Sequence, residues 1–328
     1  MIIVTGAYGF IGSYLIGALQ AAGLTNIVAV DDWKNADKKP NLANKKNIQR
    51  VHRRLLFGFL EKNATNIDFI FHLGARTDTT EFDYSVLKKL NLDYSKKLWK
   101  ACAAHQIPLI FASSAATYGA GEHGYDDFPT QLSKKLEPLN PYGKSKNEFD
   151  KWIFAPRQQQ NAPPAWFGFK FFNVYGPNEY HKKRMASTIF HFFNQIETTG
   201  KARLFESHRP DFGHGEQMRD FVYVKDVAAV LMHFQAQKDA IPSGIYNLGT
   251  GKARTFNDLV RAVFAATGKT ADIEYTPTPV DIRDKYQYFT EANMLRVREQ
   301  AHYTAPFHSL EAGIEDYVKN FLINFKTF

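Results

Sequence analysis

The first apolar run is only three residues long, Ile2-Ile3-Val4, and it stops at Thr5-Gly6. A short continuous apolar run closed by a turn residue predicts a strand buried on both faces. From Phe10 to Ala22 the apolar positions fall at helical spacing, so a helix follows after a tight turn. The alternation recurs. Asn26–Val30, Asp68–Leu73, Ile107–Ala112 and Phe167–Phe172 read as further strands, with helical stretches at about Tyr84–His105 and Tyr142–Ala155. This order predicts an α/β fold with a doubly wound parallel sheet and right-handed crossovers. Beyond Asn173, helices are expected over 185–197, Phe256–Thr267 and Leu310–Phe321, with returns to the sheet around Phe221 and Tyr246.

Gly6, Gly9 and Gly12 lie in and just after the first turn, each three residues after the last. A strand that turns at once into a helix aims free N–H groups and the positive helix end at whatever lies above, and a pyrophosphate fits there. Gly6 permits the turn, Gly9 the close approach of phosphates, and Gly12 the helix–strand contact. The second strand runs into Asp31 and Asp32, about 20 residues past Gly12, where a carboxylate meets an adenosine ribose. A bound dinucleotide is expected.

At 328 residues, 44% hydrophobic and 23% charged, the chain has the make-up of a globular protein with room for two lobes. No apolar run approaches the roughly 20 residues needed to span a bilayer, and the N-terminal run lacks a basic leader. Cys102 is the only cysteine, which excludes an intrachain disulfide and fits a reducing, cytoplasmic setting. Charge changes the picture more. Of the net +8, the segment Lys34–Arg54 supplies +7: eight basic residues, among them Lys38 and Arg53, against Asp37 alone. A nucleic-acid surface is one reading. The position after the second strand favours a contact with a 2′-phosphate, hence NADP, with NAD left open by Asp31 and Asp32.

The strand at 107–112 ends in Ser113 and Ser114, at the edge where open α/β sheets bind ligands. Tyr142 and Lys146 are four residues apart in an apparent helix and project from one face. An ammonium beside a phenol lowers its pKa from about 10 and makes it a base for an alcohol proton.

Together, Thr-Gly-x-x-Gly-x-x-Gly, a strand-end Ser and Tyr-x-x-x-Lys resemble the extended short-chain dehydrogenase/reductase superfamily. The resemblance narrows to its ADP-heptose 6-epimerase family through Thr-Thr-Glu (79–81), Ser-Ser-Ala-Ala-Thr-Tyr-Gly (113–119) and Phe-Asn-Val-Tyr-Gly-Pro (172–177). His-Lys (181–182), Met-Ala-Ser (185–187), Arg-Asp-Phe-Val-Tyr-Val (219–224) and Asn-Leu-Gly-Thr-Gly (247–251) extend it over essentially the whole chain. It implies a Rossmann-type domain at 1–172, with returns near 219–248, and a mainly substrate-binding lobe at 173–328. It further implies an isomerase that inverts C6″ of ADP-D-glycero-D-manno-heptose by transient oxidation and re-reduction with bound NADP, in lipopolysaccharide core heptose synthesis. A cytoplasmic homo-oligomer, a pentamer by family resemblance, is implied as well, with no metal and neither nucleic acid nor membrane as partner.

By the same resemblance, Tyr142 is the main acid/base, Lys146 its partner, Ser114 a hydrogen-bonding helper and Lys182 a second base. Two bases suit an inversion, because the returning hydride needs the carbonyl's other face, with its oxygen near a different proton donor. The implied cofactor residues are Gly6, Gly9, Phe10, Ile11, Gly12, Asp31, Asp32, Lys38, Arg53, Leu73, Gly74, Ala75 and Asn91, with Tyr142 and Lys146. Asn173, Ser187 and His191 would meet the sugar, and Phe205, Glu206, Arg219 and Tyr286 the adenosine diphosphate. Leu73 stands where the family often has a carboxylate, Asp32 where it has Asn, and the 207–217 loop is longer than expected. The competing readings are a nucleotide-sugar 4-epimerase, a 4,6-dehydratase and a non-catalytic dinucleotide sensor. Ala115-Ala116 in place of an Asp-Glu pair argues against the dehydratase, and the intact Tyr142 and Lys146 argue against the sensor.

Overall fold

Because the central strands are covered on both faces, their apolar runs are unbroken, yet the two faces still sort by alternation. Ile2, Val4, Ile27 and Ala29 join one core cluster, while Ile3, Val28 and Val30 join the other. The computed structural model describes residues 1–129, 134–283 and 286–328.

The chain opens with β1 (Ile2–Thr5), α1 (Phe10–Ala21) and β2 (Ile27–Asp31). After a short 3₁₀ stretch come β3 (Ile48–His52), α2 (Leu56–Asn63) and β4 (Phe69–His72). The next helix, α3, is composite: Tyr84–Leu87 and Tyr94–Ala104 flank a π-helical stretch, Lys88–Asp93. Then follow β5 (Leu109–Ser114), α4 (Pro141–Ile153) and β6 (Trp166–Phe171). The seven-stranded sheet has the order β11-β6-β5-β4-β1-β2-β3, all parallel, with β11 at Gly244–Leu248. Strand order reverses between β1 and β4, and in such sheets the crevice at that point takes the ligand.

β3 was not anticipated. It lies inside the basic segment and has only Ile48 and Val51 as apolar residues, as befits an edge strand with one neighbour. The expected return at Tyr246 is in the sheet as part of β11. The one at Phe221 is not: β10 (Phe221–Tyr223) pairs in parallel with β7 (Asn173–Tyr175) in a separate two-stranded sheet. Asn173 takes its N–H to the Asp220 carbonyl, so the chain leaving β6 is diverted away from the main sheet.

Much of the remaining chain joins the core cluster that holds Ile2 and Val4, through residues such as Ile189, Leu231, Val263 and Tyr317. Helix α5 (Thr188–Thr199) begins at Ser187 rather than at 185, because the Ser187 hydroxyl accepts from the Phe190 N–H and caps it. Two further short pairings, β8 (Ala202–Phe205) with β13 (Ile273–Thr276) and β9 (Met218–Arg219) with β12 (Arg254–Thr255), hold the C-terminal residues together. The expected helices appear at Phe256–Thr267, capped by Thr255 and Asp258 in a capping box, and at Leu310–Tyr317.

Candidate active site

Gly6 has φ +68°, and a Cβ there would sit 2.7 Å from the Gly74 Cα, so the β1 turn and the end of β4 touch backbone to backbone. A Cβ on Gly12 would run into the Gly6 carbonyl oxygen, whereas one on Gly9 would project with only that oxygen nearby, at 3.1 Å. The N-terminus of α1 has no side-chain cap and no acid in its first turn. Its free N–H groups open onto a cleft of about 400 Å³ lined by Gly6, Gly9, Phe10, Ile11, Gly12, Asp31, Asp32, Lys38, Arg53, Leu73, Gly74 and Ala75. These are expected cofactor residues, gathered in one place. The cradle suits a pyrophosphate, and an added Cβ at Gly6 or Gly12 would push apart the backbone that forms it.

At the ribose end, the Asp31 carboxylate accepts the Tyr8 and Asp32 N–H groups at 3.0 and 2.8 Å. Asp32 faces Arg53 at 3.3 Å. Partial burial would raise its pKa, but the Lys34 N–H and the charges of Arg53, Lys38 and Lys34 hold the carboxyl below its ordinary value. A 2′-phosphate arriving here therefore meets an acid already compensated by cations.

Asn91 does not line this cleft. It sits in the π-helical stretch of α3, 1% exposed, and its amide accepts the Arg76 N–H at 2.8 Å. It donates to the Arg76 carbonyl and to Ser145 Oγ, each at 3.0 Å. Ser145 in turn donates to the Tyr142 carbonyl at 2.7 Å. Thus Asn91 ties the loop after β4 to the first turn of α4, which Asn140 caps by accepting from the Gly143 N–H.

Tyr142 and Ser114 line a second cavity of about 360 Å³ together with Lys146, Asn173, Lys182 and Ser187. Phe10, Ile11, Leu73, Ala75, Thr77 and Lys182 belong to both linings, so the two spaces adjoin. The Ser114 hydroxyl accepts the Ala116 N–H and bonds to the Tyr142 phenol.

The anticipated depression of the phenol is not present in this form. Burial pushes the Tyr142 pKa up, against the hydrogen bond from Ser114, and the Asp150 carboxylate raises it further. Lys146 offers little counterweight: its ammonium is spent on the Ala112 carbonyl at 2.8 Å, and burial pushes it down to about 8. Below them Asp150 accepts from Ser113 at 2.7 Å and pairs with the fully buried Lys170 at 2.8 Å. Lys170 also donates to Thr117. Removing one partner of such a pair typically costs about 3–5 kcal/mol, so this network fixes the floor of the site.

Lys182 arrives from a different direction, on a short 3₁₀ turn at Tyr180–Met185. Its ammonium lies 5.3 Å from the Phe10 ring centre, and burial lowers its pKa. The next residue, Lys183, has φ +52° and ψ −125°, a conformation that costs a side-chain-bearing residue on the order of 1–3 kcal/mol. The turn is held from below by the buried Glu179, which accepts the Ser187 N–H and hydroxyl at 2.6 and 2.7 Å.

Among the expected sugar contacts, Asn173 and Ser187 line the second cavity, whereas His191 does not and bonds instead to the Arg184 carbonyl at 3.3 Å. Phe205, Arg219 and Tyr286 lie together, with the Tyr286 ring 6.2 Å from Phe205 and 5.5 Å from the guanidinium. That guanidinium donates to the Met218 carbonyl at 2.8 Å and to that of Gln287. Glu206 is placed on the same strand edge by its N–H, which donates to the Thr276 carbonyl at 2.8 Å. None of these four lines either cavity. Sequence reasoning did not assign roles to His72 or Thr77, which line the cleft, nor to Phe172 and Phe256, which line the second cavity. His72 ends a strand at the crevice edge, the one signal that pointed to it. Among the described residues no three His, Cys, Asp or Glu side chains gather as a metal site, and no helix is long and apolar enough to cross a membrane.

Known proteins share both sequence and shape with this chain. It is 46% identical over 331 aligned positions to an ADP-L-glycero-D-manno-heptose-6-epimerase of Fusobacterium nucleatum, covering 98% of each chain. An enzyme of the same name from Nitratidesulfovibrio vulgaris is 43% identical, again over 98% of each. The crystal structure of the Helicobacter pylori ADP-L-glycero-D-manno-heptose-6-epimerase superposes with a TM-score of 0.79 at 28% identity, covering 97% of this chain and 95% of that one. A UDP-N-acetylglucosamine 4-epimerase from Methanobrevibacter ruminantium, 24% identical with a TM-score of 0.81 over 98% of each chain, shares the fold. With a glycine cradle at the strand-order reversal, a Ser–Tyr–Lys group beside it and a sequence model matching residues 2–249, the chain belongs to the NAD dependent epimerase/dehydratase family.

Proposed function

We propose that the protein inverts C6″ of ADP-D-glycero-D-manno-heptose, giving the L-glycero epimer for lipopolysaccharide core synthesis in the cytoplasm. One observation carries the reading beyond the likeness to named epimerases: two separate proton-bearing groups, Tyr142 and Lys182, line one cavity that adjoins the dinucleotide cleft. A nicotinamide dinucleotide bound in that cleft supplies removal of hydride from the carbinol carbon and its return. Tyr142, as phenolate, takes the hydroxyl proton while the carbonyl forms, and Ser114 donates a hydrogen bond to the developing oxygen. Once the carbonyl presents its other face, its oxygen lies toward Lys182, whose ammonium gives the proton that completes the new alcohol. No atom is gained or lost overall, and the two proton donors re-equilibrate with solvent.

Tyr142 has to ionise for this, and burial opposes it in the ligand-free form. The positive charge of an oxidised nicotinamide, together with Lys146, supports the phenolate once the cofactor is in place. NADP is the preferred cofactor, supported by Lys38 and Arg53 at the ribose end and by the compensation of Asp32. The protein works as a homo-oligomer, a pentamer in this reading.

The deciding experiment is proton NMR of ADP-D-glycero-D-manno-heptose with purified protein and no added cofactor. The L-glycero epimer is expected to appear. If inversion is absent with and without added NADP or NAD, the reading fails, and UDP-, GDP- and dTDP-sugars are then the substrates to try.

A further inference from the structure

Lys182 is followed by two residues whose charged ends reach in different directions. Lys183 pairs with Asp37, in the basic segment beside Lys38, at 3.2 Å. The Arg184 guanidinium reaches both oxygens of Asp78, at 2.8 and 3.0 Å, across 106 residues of sequence. Asp78 belongs to the loop after β4, where it also pairs with Arg76 at 3.5 Å and accepts from the Thr80 N–H and hydroxyl. The same two segments meet again at Thr79 and Met185, 3.7 Å apart, and both residues line the second cavity. The first of these anchors, Lys183, has the unfavourable backbone, and its carbonyl accepts the Ala186 N–H at 2.9 Å.

We propose that Arg184 and Asp78, assisted by Lys183 and Asp37, are positioning residues that clamp the strained turn and hold Lys182 at the wall common to both cavities. An exposed ion pair contributes little to the stability of a whole fold, but Glu179 holds the turn only at Lys182 and Ser187, through their N–H groups, and the side chains of Lys183 and Arg184 between them are fixed by these pairs. Released, the turn relaxes toward an ordinary conformation and swings the Lys182 ammonium away from the substrate oxygen. Tyr142, fixed by α4, stays where it is. The clamp therefore acts on one face of the reaction only. This inference rests on the reading of Lys182 as the second proton donor.

The test compares Arg184→Gln, Arg184→Lys, Asp78→Asn and the double variant Asp78→Asn/Arg184→Gln with the parent and with Lys182→Ala. Three readings are taken: kcat and KM for inversion, reduced nicotinamide formed in one turnover from the epimer that Tyr142 deprotonates, and the labelling rate of Lys182 by acetic anhydride. Arg184→Gln and Asp78→Asn are each expected to lower kcat about 10–100-fold, leave KM and the single-turnover oxidation near parent values, and speed the labelling of Lys182. The double variant should be no worse than either single one, and Arg184→Lys should restore most of the loss. Parent kcat and labelling in Arg184→Gln would overturn the clamp. If Lys182→Ala still inverts the sugar, the second-donor reading falls, while an unchanged or accelerated labelling rate in Arg184→Gln still decides whether the pair positions the turn.

Discussion

The two proton-bearing side chains at this site are held in opposite ways. Tyr142 stands in the first turn of a thirteen-residue helix, capped by Asn140 and tied through Ser145 and Asn91 to the loop after β4. Lys182 stands on a six-residue 3₁₀ turn with a backbone outlier beside it, and its neighbours are fixed by pairs that cross the fold. A helix supplies its own geometry through repeated short-range hydrogen bonds, whereas a single turn must borrow its geometry from whatever packs around it. One side chain is thus placed by local structure and the other by tertiary contacts, and substitutions should separate them.

The largest effect is expected at Tyr142. Tyr142→Phe keeps the ring and should lower kcat by about 10²–10⁴-fold or more, with an unchanged circular dichroism spectrum; normal turnover would remove Tyr142 from the chemistry. Lys182→Ala should come next. It should halt inversion while leaving the single-turnover oxidation at Tyr142, and loss of both would mean that the donors do not act separately. Asn91→Ala tests the local tether. It leaves the Arg76 N–H and carbonyl without their Asn91 partner, at about 1–3 kcal/mol, so the denaturant midpoint should fall together with kcat while the labelling of Lys182 is unaffected.

A subtler contrast concerns His72, buried between Thr5 and Ser95 at 2.7 and 2.9 Å. Burial, with a smaller push from Lys146, lowers its pKa from 6.5 to about 3. The stability given by its neutral ring is therefore fully present above pH 6.5 and is lost as pH falls toward 3. The slope is at most about 1.4 kcal/mol per pH unit. Denaturation curves at successive pH values should be steeper in pH for the parent than for His72→Gln, and parallel curves would refute the assignment. The smallest effect is expected at Lys183→Gly. Relief of about 1–3 kcal/mol of strain, less about 0.5–1 for the added freedom of glycine, should leave the variant more stable by about 1 kcal/mol, measured as a rise in melting temperature.

What was legible in the sequence follows the same division. The glycine turn, β4, β5 and the Tyr142–Lys146 helix are written in contiguous residues, and they stand where periodicity and spacing put them. β3 escaped because an edge strand with one neighbour needs few apolar residues. The π-helical stretch that aims Asn91 at Ser145 leaves the apolar spacing of α3 nearly intact, so it was read as one regular helix. The direction of the Tyr142 pKa was misjudged because spacing reports the nearby ammonium but neither the burial of the phenol nor the Ala112 carbonyl that engages that ammonium. The two carbonyl partners of Arg219, one of them at Gln287, are visible only in the folded chain.

The position of β11 has a consequence for how the chain is made. Its partner β6 ends at Phe171, and residues 172–243, which build much of the cavity wall and the whole Lys182 turn, must be synthesised before Gly244–Leu248 can pair with it. Until then β6 is an open edge rich in aromatic residues, Trp166, Phe167, Phe169 and Phe171, with no strand to cover it. Parallel pairing across so long an interval is slow. A nascent or truncated chain that stops short of residue 244 should therefore aggregate through that edge.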